Sequence, residues 1–451
     1  MKKNIPFSPP DITESEINAV VKVLKSGWIT SGVVNKEFED ELTKYINVKR
    51  VKLLSSATSS MELALKIFGI GEGDEVIVPA YTYASSSNVA IHLGAKVVFI
   101  DANKNNDFNI DLKKLENAIT EKTKAIISVD IGGIPCDYDN IKNILENKKH
   151  LFKPSKNKYQ KELKKILFLS DAAHSIGAIY KDKRVGSQAD FTSFSFHAVK
   201  NITTAEGGAL AFNDIGNIKA DEIYKEISIW ALNGQNKSAL DKEKGGKNSW
   251  KYNIECIGYK CNLSDLHAAV GLSQLRRYNK MLENRKKIAY IYNDILSKNE
   301  KIILPKLKNE SIESSYHLYM IRIKDFEEKD RDLFIEKMFE LGIILNVHYL
   351  PLPFQKAYID LGYNIKNYDN AYNLYKNEIT LPLYSSLNEK DARYIANNII
   401  AIAPAIIHFL LIFLSFIPFI TGINNITAII ANVAFDCVNN NVIVAIKIYI
   451  P

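Results

Sequence analysis

Two residues near the middle of this chain carry side chains suited to one kind of chemistry. They are Asp171, in Ser170-Asp171-Ala172-Ala173-His174, and Lys200, in Phe196-His197-Ala198-Val199-Lys200-Asn201. A lysine amine condenses with an aldehyde to form a Schiff base. A carboxylate beside a pyridine nitrogen keeps that nitrogen protonated, so that the ring accepts electrons from a carbanion. Together these are the groups that a pyridoxal 5'-phosphate (PLP) enzyme requires. A solitary aspartate is ordinarily a turn cap and a solitary lysine a solvated charge. Here each follows an apolar run and is flanked by small residues and a histidine.

The surrounding elements must place both groups at one edge. Lys165-Ile-Leu-Phe-Leu-Ser170 reads as a buried parallel strand that delivers Asp171 at its carboxyl end, the edge where open α/β sheets bind ligands. Phe191-Thr-Ser-Phe-Ser-Phe196 alternates, with Ser193 and Ser195 on one face, so Ser195 and Lys200 reach a common pocket. Glu206-Gly-Gly-Ala-Leu-Ala-Phe212 opens a further buried strand. Met61-Glu-Leu-Ala-Leu-Lys-Ile-Phe68 has the spacing of a helix that starts near Thr58. Unpaired N–H groups at that start favour an anion, although an ordinary N-cap would use the same residue type.

Strand candidates 51–54, 75–79, 96–101, 124–130, 166–170, 191–196 and 208–212 alternate with helical stretches. That pattern predicts an α/β fold with a mostly parallel seven-stranded sheet. We read residues 1–275 as an N-terminal segment plus a large cofactor-binding domain. A long helical pattern from Ser264 leads into a smaller α+β domain at 276–398, with strand candidates at 316–323 and 343–347. An apolar extension covers 399–451.

Several motifs resemble the DegT/DnrJ/StrS family of PLP-dependent nucleotide-sugar aminotransferases. They are Asp171-Ala-Ala-His174, Ser195-Phe-His-Ala-Val-Lys-Asn201, Ala205-Glu-Gly-Gly208, Ser26-Gly-Trp-Ile-Thr-Ser-Gly32, Ser55-Ser-Ala-Thr58, Pro79-Ala-Tyr-Thr-Tyr83, Gly258-Tyr-Lys-Cys-Asn262 and Asn346-Val-His-Tyr349. The resemblance spans roughly residues 5 to 400 and implies PLP fold-type I. It implies that Lys200 bonds the cofactor and Asp171 holds its pyridine nitrogen. Tyr83 would stack on the ring, with Ala173 on the opposite face and His174 close by. Ala57, where the family often has glycine, Thr58 and Ser195 would line the phosphate site, which Asn262 from a second subunit completes. Thr30, Ser31 and His348 would contact substrate. The resemblance further implies a homodimer with shared active sites. Its reaction would be amino transfer from L-glutamate to a nucleotide-linked 4-keto-6-deoxy sugar, for surface polysaccharide or related amino-sugar biosynthesis. Family members that dehydrate sugars carry histidine where this chain has Lys200, which favours transamination. A non-catalytic PLP-binding regulator is the other alternative.

Composition sets the remaining bounds. The chain has 451 residues, 47% hydrophobic, and a formal net charge of +7 with no nucleic-acid module. Its densest basic stretch, Lys148 to Lys165, reads as a solvated surface insertion. Cys136, Cys256, Cys261 and Cys437 show no metal-ligand or disulfide spacing, and the amino end lacks an apolar run of signal length. A cytoplasmic catalytic part without metal is expected. From Tyr394 to Phe435 there is no Asp, Glu, Lys or Arg, and 399–420 meets the length of a membrane span. Membrane contact through that run competes with a non-functional extension and with a helix packed on the small domain.

Overall fold

The computed structural model describes residues 4–104, 108–243, 245 and 250–403. Along the chain run β1 (Arg50–Leu54), β2 (Glu75–Pro79), β3 (Lys96–Ile100), β4 (Thr123–Val129) and β5 (Leu167–Asp171). A short ribbon of β6 (Ile179–Tyr180) and β7 (Lys183–Arg184) precedes β8 (Phe191–Ser195) and β9 (Gly208–Phe212). Seven of these form one sheet in the order β1-β9-β8-β5-β4-β2-β3. The pairs from β8 to β3 are parallel, whereas β9 is antiparallel to both its neighbours. Helices cover both faces, so β4, β5, β8 and β9 are buried along their whole length. Their sequences are accordingly near-continuous apolar runs rather than half-polar alternations. The parallel sheet is therefore as expected.

Helix α1 (Glu14–Ser26) starts in a capping box between Thr13 and Glu16, and α2 (Val33–Ile46) follows Gly32. Both lie against the long helix Asp265–Leu296, which begins at the cap Ser264. Asp265 ties them together. Its carboxylate accepts the N–H groups of Gly32 (2.8 Å), Val34 (3.2 Å) and Asn35 (2.9 Å), the orphan donors at the start of α2.

The long helix runs from one core into another. Ala268, Leu272 and Tyr278 pack with the large sheet, whereas Ile288, Tyr292 and Ile295 belong to a second core. That second core is built on the sheet β10 (Ile302–Ile303), β12 (Tyr319–Ile323) and β13 (Glu378–Leu381); β11 (Ile312–Glu313) pairs instead with β6. Ile5 joins the small core from the other end of the chain, exchanging backbone hydrogen bonds with Gly342 (2.7 Å) and Ile344 (3.1 Å). Conversely, Leu352, Tyr358 and Leu374 pack on the large core.

Two local expectations need correction. Residues 343–347 form no strand: they make only single bridges, Ile343 to Ile5 and Asn346 to Thr380. The Lys148–Lys165 stretch is more than a solvated loop. It contains the helix Lys158–Leu163, buries Tyr159 and Gln160, and aims Asn157 Nδ2 and Gln160 Nε2 at the Ile67 and Phe68 carbonyls, each within 2.9 Å. Its lysines pair locally, Lys158 with Glu226 and Lys165 with Asp190. The first residues of the apolar extension, 399–403, follow the packed-helix alternative. A helix over 389–403 buries Ile395, Ile399 and Ala403 in the small core. The rest of 399–451, Cys437 included, lies outside the described residues. Among the described residues no helix is long and apolar enough to cross a membrane.

Gln160 gives a direct test of the insertion. Gln160→Ala strips the buried Phe68 carbonyl of its donor, which costs about 1–3 kcal/mol. Calorimetry should record a lower Tm, and an unchanged Tm would show that the segment does not support the core.

Candidate active site

The carboxyl ends of β1, β8, β5, β4 and β2 share one edge of the sheet, and the groups singled out above follow them. Register makes the alignment specific. Leu54 of β1 lies opposite Gly208 of β9, which lies opposite Ser195 of β8; one strand further on, Asp171 of β5 faces Ser193.

Asp171 is the last residue of β5 and is 3% exposed. Its Oδ2 accepts from the Ser86 hydroxyl (2.7 Å), at the start of helix Ser85–His92, and its Oδ1 from the Ala173 N–H (3.2 Å). Burial pushes its pKa up, opposed by these donors and by the Lys200 charge. A carboxylate offers about four lone-pair sites, so acceptor capacity remains for a ring N–H. Lys200 lies in the turn after β8, where its N–H donates to the His197 carbonyl (2.9 Å). Desolvation lowers its ammonium to about 8 against the opposing pull of Asp171. A lysine held there is partly a free amine near neutrality, the form that attacks an aldehyde.

The helix expected to start near Thr58 begins one residue earlier. Helix α3 (Ala57–Phe68) is capped by Ser56, whose hydroxyl accepts the Ser59 N–H (3.0 Å). Thr58 is thus the second helical residue rather than the cap. The N–H groups of Ala57 and Thr58 donate to no described residue, leaving two orphan donors beside Ser195. Gly208 makes this packing feasible: a Cβ there would sit 2.3 Å from the Ser56 carbonyl carbon. The Ser193 hydroxyl donates to the Ala57 carbonyl (3.1 Å), locking the start of α3 onto β8.

His174 follows β5 and is buried. Its Nδ1 accepts the Gly132 N–H (3.2 Å), so the ring proton sits on Nε2, 3.3 Å from the Tyr349 hydroxyl. The His317 ring stands 4.4 Å away, with its Nδ1 2.9 Å from Asn201 Oδ1. Asn201 spends its amide hydrogens on Tyr278 (3.1 Å) and the Ser315 carbonyl (2.7 Å), so its oxygen accepts from His317. Burial holds both imidazoles well below their ordinary pKa, and neither adds a positive charge to the cleft. His348 is likewise pushed down to about 4 by burial and by Lys200. Tyr83 is 62% exposed, its ring 5.9 Å from that of Tyr349, and Ala173 is half-buried next to Asp171.

Thr30, Ser31 and Asn262 gather in a separate cluster. Asn262 Nδ2 donates to Ser31 Oγ (2.7 Å), Ser31 in turn donates to the Leu263 carbonyl, and the Thr30 carbonyl accepts from the Asp265 N–H (3.2 Å). Among the described residues no hydrogen bond joins this cluster to Lys200 or Asp171. Sequence reasoning missed Ser86, His317 and the pairing of His174 with Tyr349. Asn201 and Tyr349 stood inside quoted motifs, whereas nothing around Ser86 or His317 signals a partner so far away in the chain. Among the described residues no cluster of His, Cys, Asp and Glu has a metal-binding arrangement.

The donor set fits PLP: an amine with lowered pKa, a buried carboxylate with spare acceptor capacity, and two unpaired N–H groups for a phosphate. Fold and site define a PLP enzyme of fold-type I. The chain belongs to the DegT/DnrJ/EryC1/StrS aminotransferase family, whose profile matches residues 10–400. It is 35% identical to the Bacillus subtilis spore coat polysaccharide biosynthesis protein SpsC, over 86% of this chain and 94% of that protein. Among solved structures, it resembles Spr1654 of Streptococcus pneumoniae, described as a candidate sugar aminotransferase and solved in PMP and PLP forms. For the PMP form the TM-score is 0.86 at 44% identity, covering 90% of this chain and 99% of Spr1654. Helicobacter pylori PseC, an aminotransferase in pseudoaminic acid biosynthesis, aligns with a TM-score of 0.76 at 29% identity, covering 88% and 98%.

The lowered pKa of Lys200 has a measurable consequence. Loading of apoenzyme with PLP, followed by visible absorbance, should accelerate with pH and level off above about 8. A rate still climbing through pH 10 would show an ordinary solvated lysine, and Lys200→Ala should not develop the band.

Proposed function

We propose that this PLP-dependent sugar aminotransferase moves an amino group from L-glutamate to the keto group of a nucleotide-linked 4-keto-6-deoxy sugar, yielding a 4-amino sugar for surface polysaccharide or a related amino-sugar product. The observation that carries the reading is the desolvated Lys200 amine opposite buried Asp171, on a fold shared with sugar aminotransferases. The name of SpsC supports the polysaccharide context.

When bound, PLP supplies an electron sink for the carbanion formed at the reacting carbon. Lys200 Nζ takes the α-proton from the amino donor and returns it on the other side of the transfer, as base and then acid. A pKa near 8 suits both tasks at neutral pH. Asp171 holds the pyridine nitrogen proton, its own position fixed by Ser86 and the Ala173 N–H. Ala57, Thr58 and Ser195 would hold the phosphate, Tyr83 and Ala173 would flank the ring, and His174 would stand close by. The keto sugar meets His348, Thr30 and Ser31.

A homodimer completes the site. Because Asn262 and Ser31 are hydrogen-bonded to each other, whichever subunit supplies Asn262 to the phosphate supplies Ser31 to the substrate. Apolar surface favours such a partner: Tyr83, Val199 and Ile257 are exposed, the last at 91%.

The test is spectroscopic. Glutamate added to PLP-loaded enzyme should bleach the visible band and release 2-oxoglutarate, and a UDP-linked 4-keto-6-deoxy sugar should restore the band. A band that glutamate leaves untouched would refute the donor assignment. Asp171→Asn should fold but lose about two orders of magnitude or more in rate, as removal of an electrostatic partner does. Asn262→Ala should release PLP more readily on dialysis, and retention equal to wild type would rule out its phosphate role.

A further inference from the structure

Glu378 is fully buried at the start of β13, and no part of the reaction described above uses it. Its Oε2 accepts the backbone N–H of His348 (2.8 Å), and its Oε1 lies 2.5 Å from the Thr380 hydroxyl. That hydroxyl is 2.9 Å from His348 Nδ1. Asn346 bridges Thr380 through two backbone hydrogen bonds, and the Tyr81 hydroxyl donates to the His348 carbonyl, so the loop is held over the pair. Phe7 stacks on the imidazole at 5.6 Å. The other ring nitrogen, Nε2, makes no hydrogen bond to a described residue.

The relay has two proton arrangements. Oε2 is committed to accepting from the His348 N–H, so a proton on the carboxyl sits on Oε1 and is donated to Thr380. The hydroxyl hydrogen then turns to His348 Nδ1, and the imidazole proton resides on Nε2. If the carboxyl is ionised, Thr380 donates to Oε1 instead, and its oxygen accepts from Nδ1–H, which leaves Nε2 bare. One proton leaves the carboxyl for solvent, and the imidazole exchanges its Nε2 proton for one on Nδ1.

We propose that Glu378 is a positioning residue that, through the Thr380 hydroxyl, decides which nitrogen of His348 carries the proton and hence whether that ring offers the sugar substrate a donor or an acceptor. The significance for substrate rests on the reading of His348 as a substrate contact. Burial raises Glu378 to about 8, against the Thr380 and His348 donors and the charge of Arg331. It is therefore protonated at neutral pH, and Nε2 then carries the donor hydrogen suited to substrate oxygens. The other groups facing it are Arg322, its cross-strand partner on β12, and Tyr81 and Tyr349, both pushed upward and neutral there. Lys200, which also titrates near 8, is the competing source of any pH effect.

Glutamine separates the two sources. Glu378→Gln accepts from the His348 N–H through its oxygen and donates to Thr380 through its amide, which fixes the neutral-carboxyl arrangement at every pH. The experiment is 15N NMR of histidine-labelled, PLP-loaded full-length enzyme from pH 6.5 to 9.5, with His348 assigned by a His348→Gln variant. Wild type should pass from the Nε2–H to the Nδ1–H tautomer as pH rises through about 8. Glu378→Gln should stay in the Nε2–H form, and Thr380→Val should show no switch. In parallel, the KM for the UDP-linked keto sugar should rise about tenfold in wild type over this range but not in Glu378→Gln, the scale of one hydrogen bond. A tautomer unchanged with pH, or one switching equally in Glu378→Gln, overturns the proposal. A switch without a matching change in KM upholds the relay and overturns instead the substrate role of His348.

Discussion

Everything in this molecule depends on keeping one amine and one carboxylate in a poorly hydrated cleft without letting them neutralise each other's usefulness. Burial costs both groups their charged forms, and each then moderates the loss of the other. That compromise needs rigid backbone beneath it. The parallel strands supply it by ending together at one edge, so that the turns after β2, β4, β5 and β8 bring Tyr83, Gly132, His174 and Lys200 to one place. The helix start at Ala57 adds unpaired donors at the same edge, and Gly208 permits the strand beneath to approach it.

The groups around the pair are chosen to stay neutral. His174, His317 and His348 would each repel the Lys200 ammonium if protonated, yet burial suppresses that charge in all three. Each also has a hydrogen-bond partner at Nδ1: the Gly132 N–H, Asn201 Oδ1 and the Thr380 hydroxyl. The three histidines are thus hydrogen-bonded and uncharged, so none of them competes with the Lys200 ammonium.

Much of this was legible in the sequence because it is local. Glu75–Pro79 and Gly208–Phe212 have strand bounds that match their apolar runs, and Asp171 and Lys200 follow directly from strand ends. What remained hidden arises from approaches across the chain. Ser86 reaches Asp171 across 85 positions, and Tyr349 reaches His174 across 175. Residues 343–347 look like a strand because they are aliphatic and β-branched, but a strand needs a ladder, and this stretch finds only single partners. The run Ser55-Ser-Ala-Thr58 offered three hydroxyls for a cap; Ser56 takes the position because Ser59 bonds back to it.

The placement of Ile5 bears on how the chain assembles. It completes a core whose other members lie between residues 288 and 403, so the first and last parts of the described chain close the small domain together. The seven-stranded sheet, by contrast, draws all its strands from residues 50–212. Synthesis therefore makes every strand of that sheet before it makes the residues that close the second core on Ile5. Long loops cost little in stability but delay contact formation. The His348 segment is tethered to β13, so it can dock only once that late strand exists. The strands that lead into Asp171 and Lys200 are thus made before the segment that brings Tyr349 to His174.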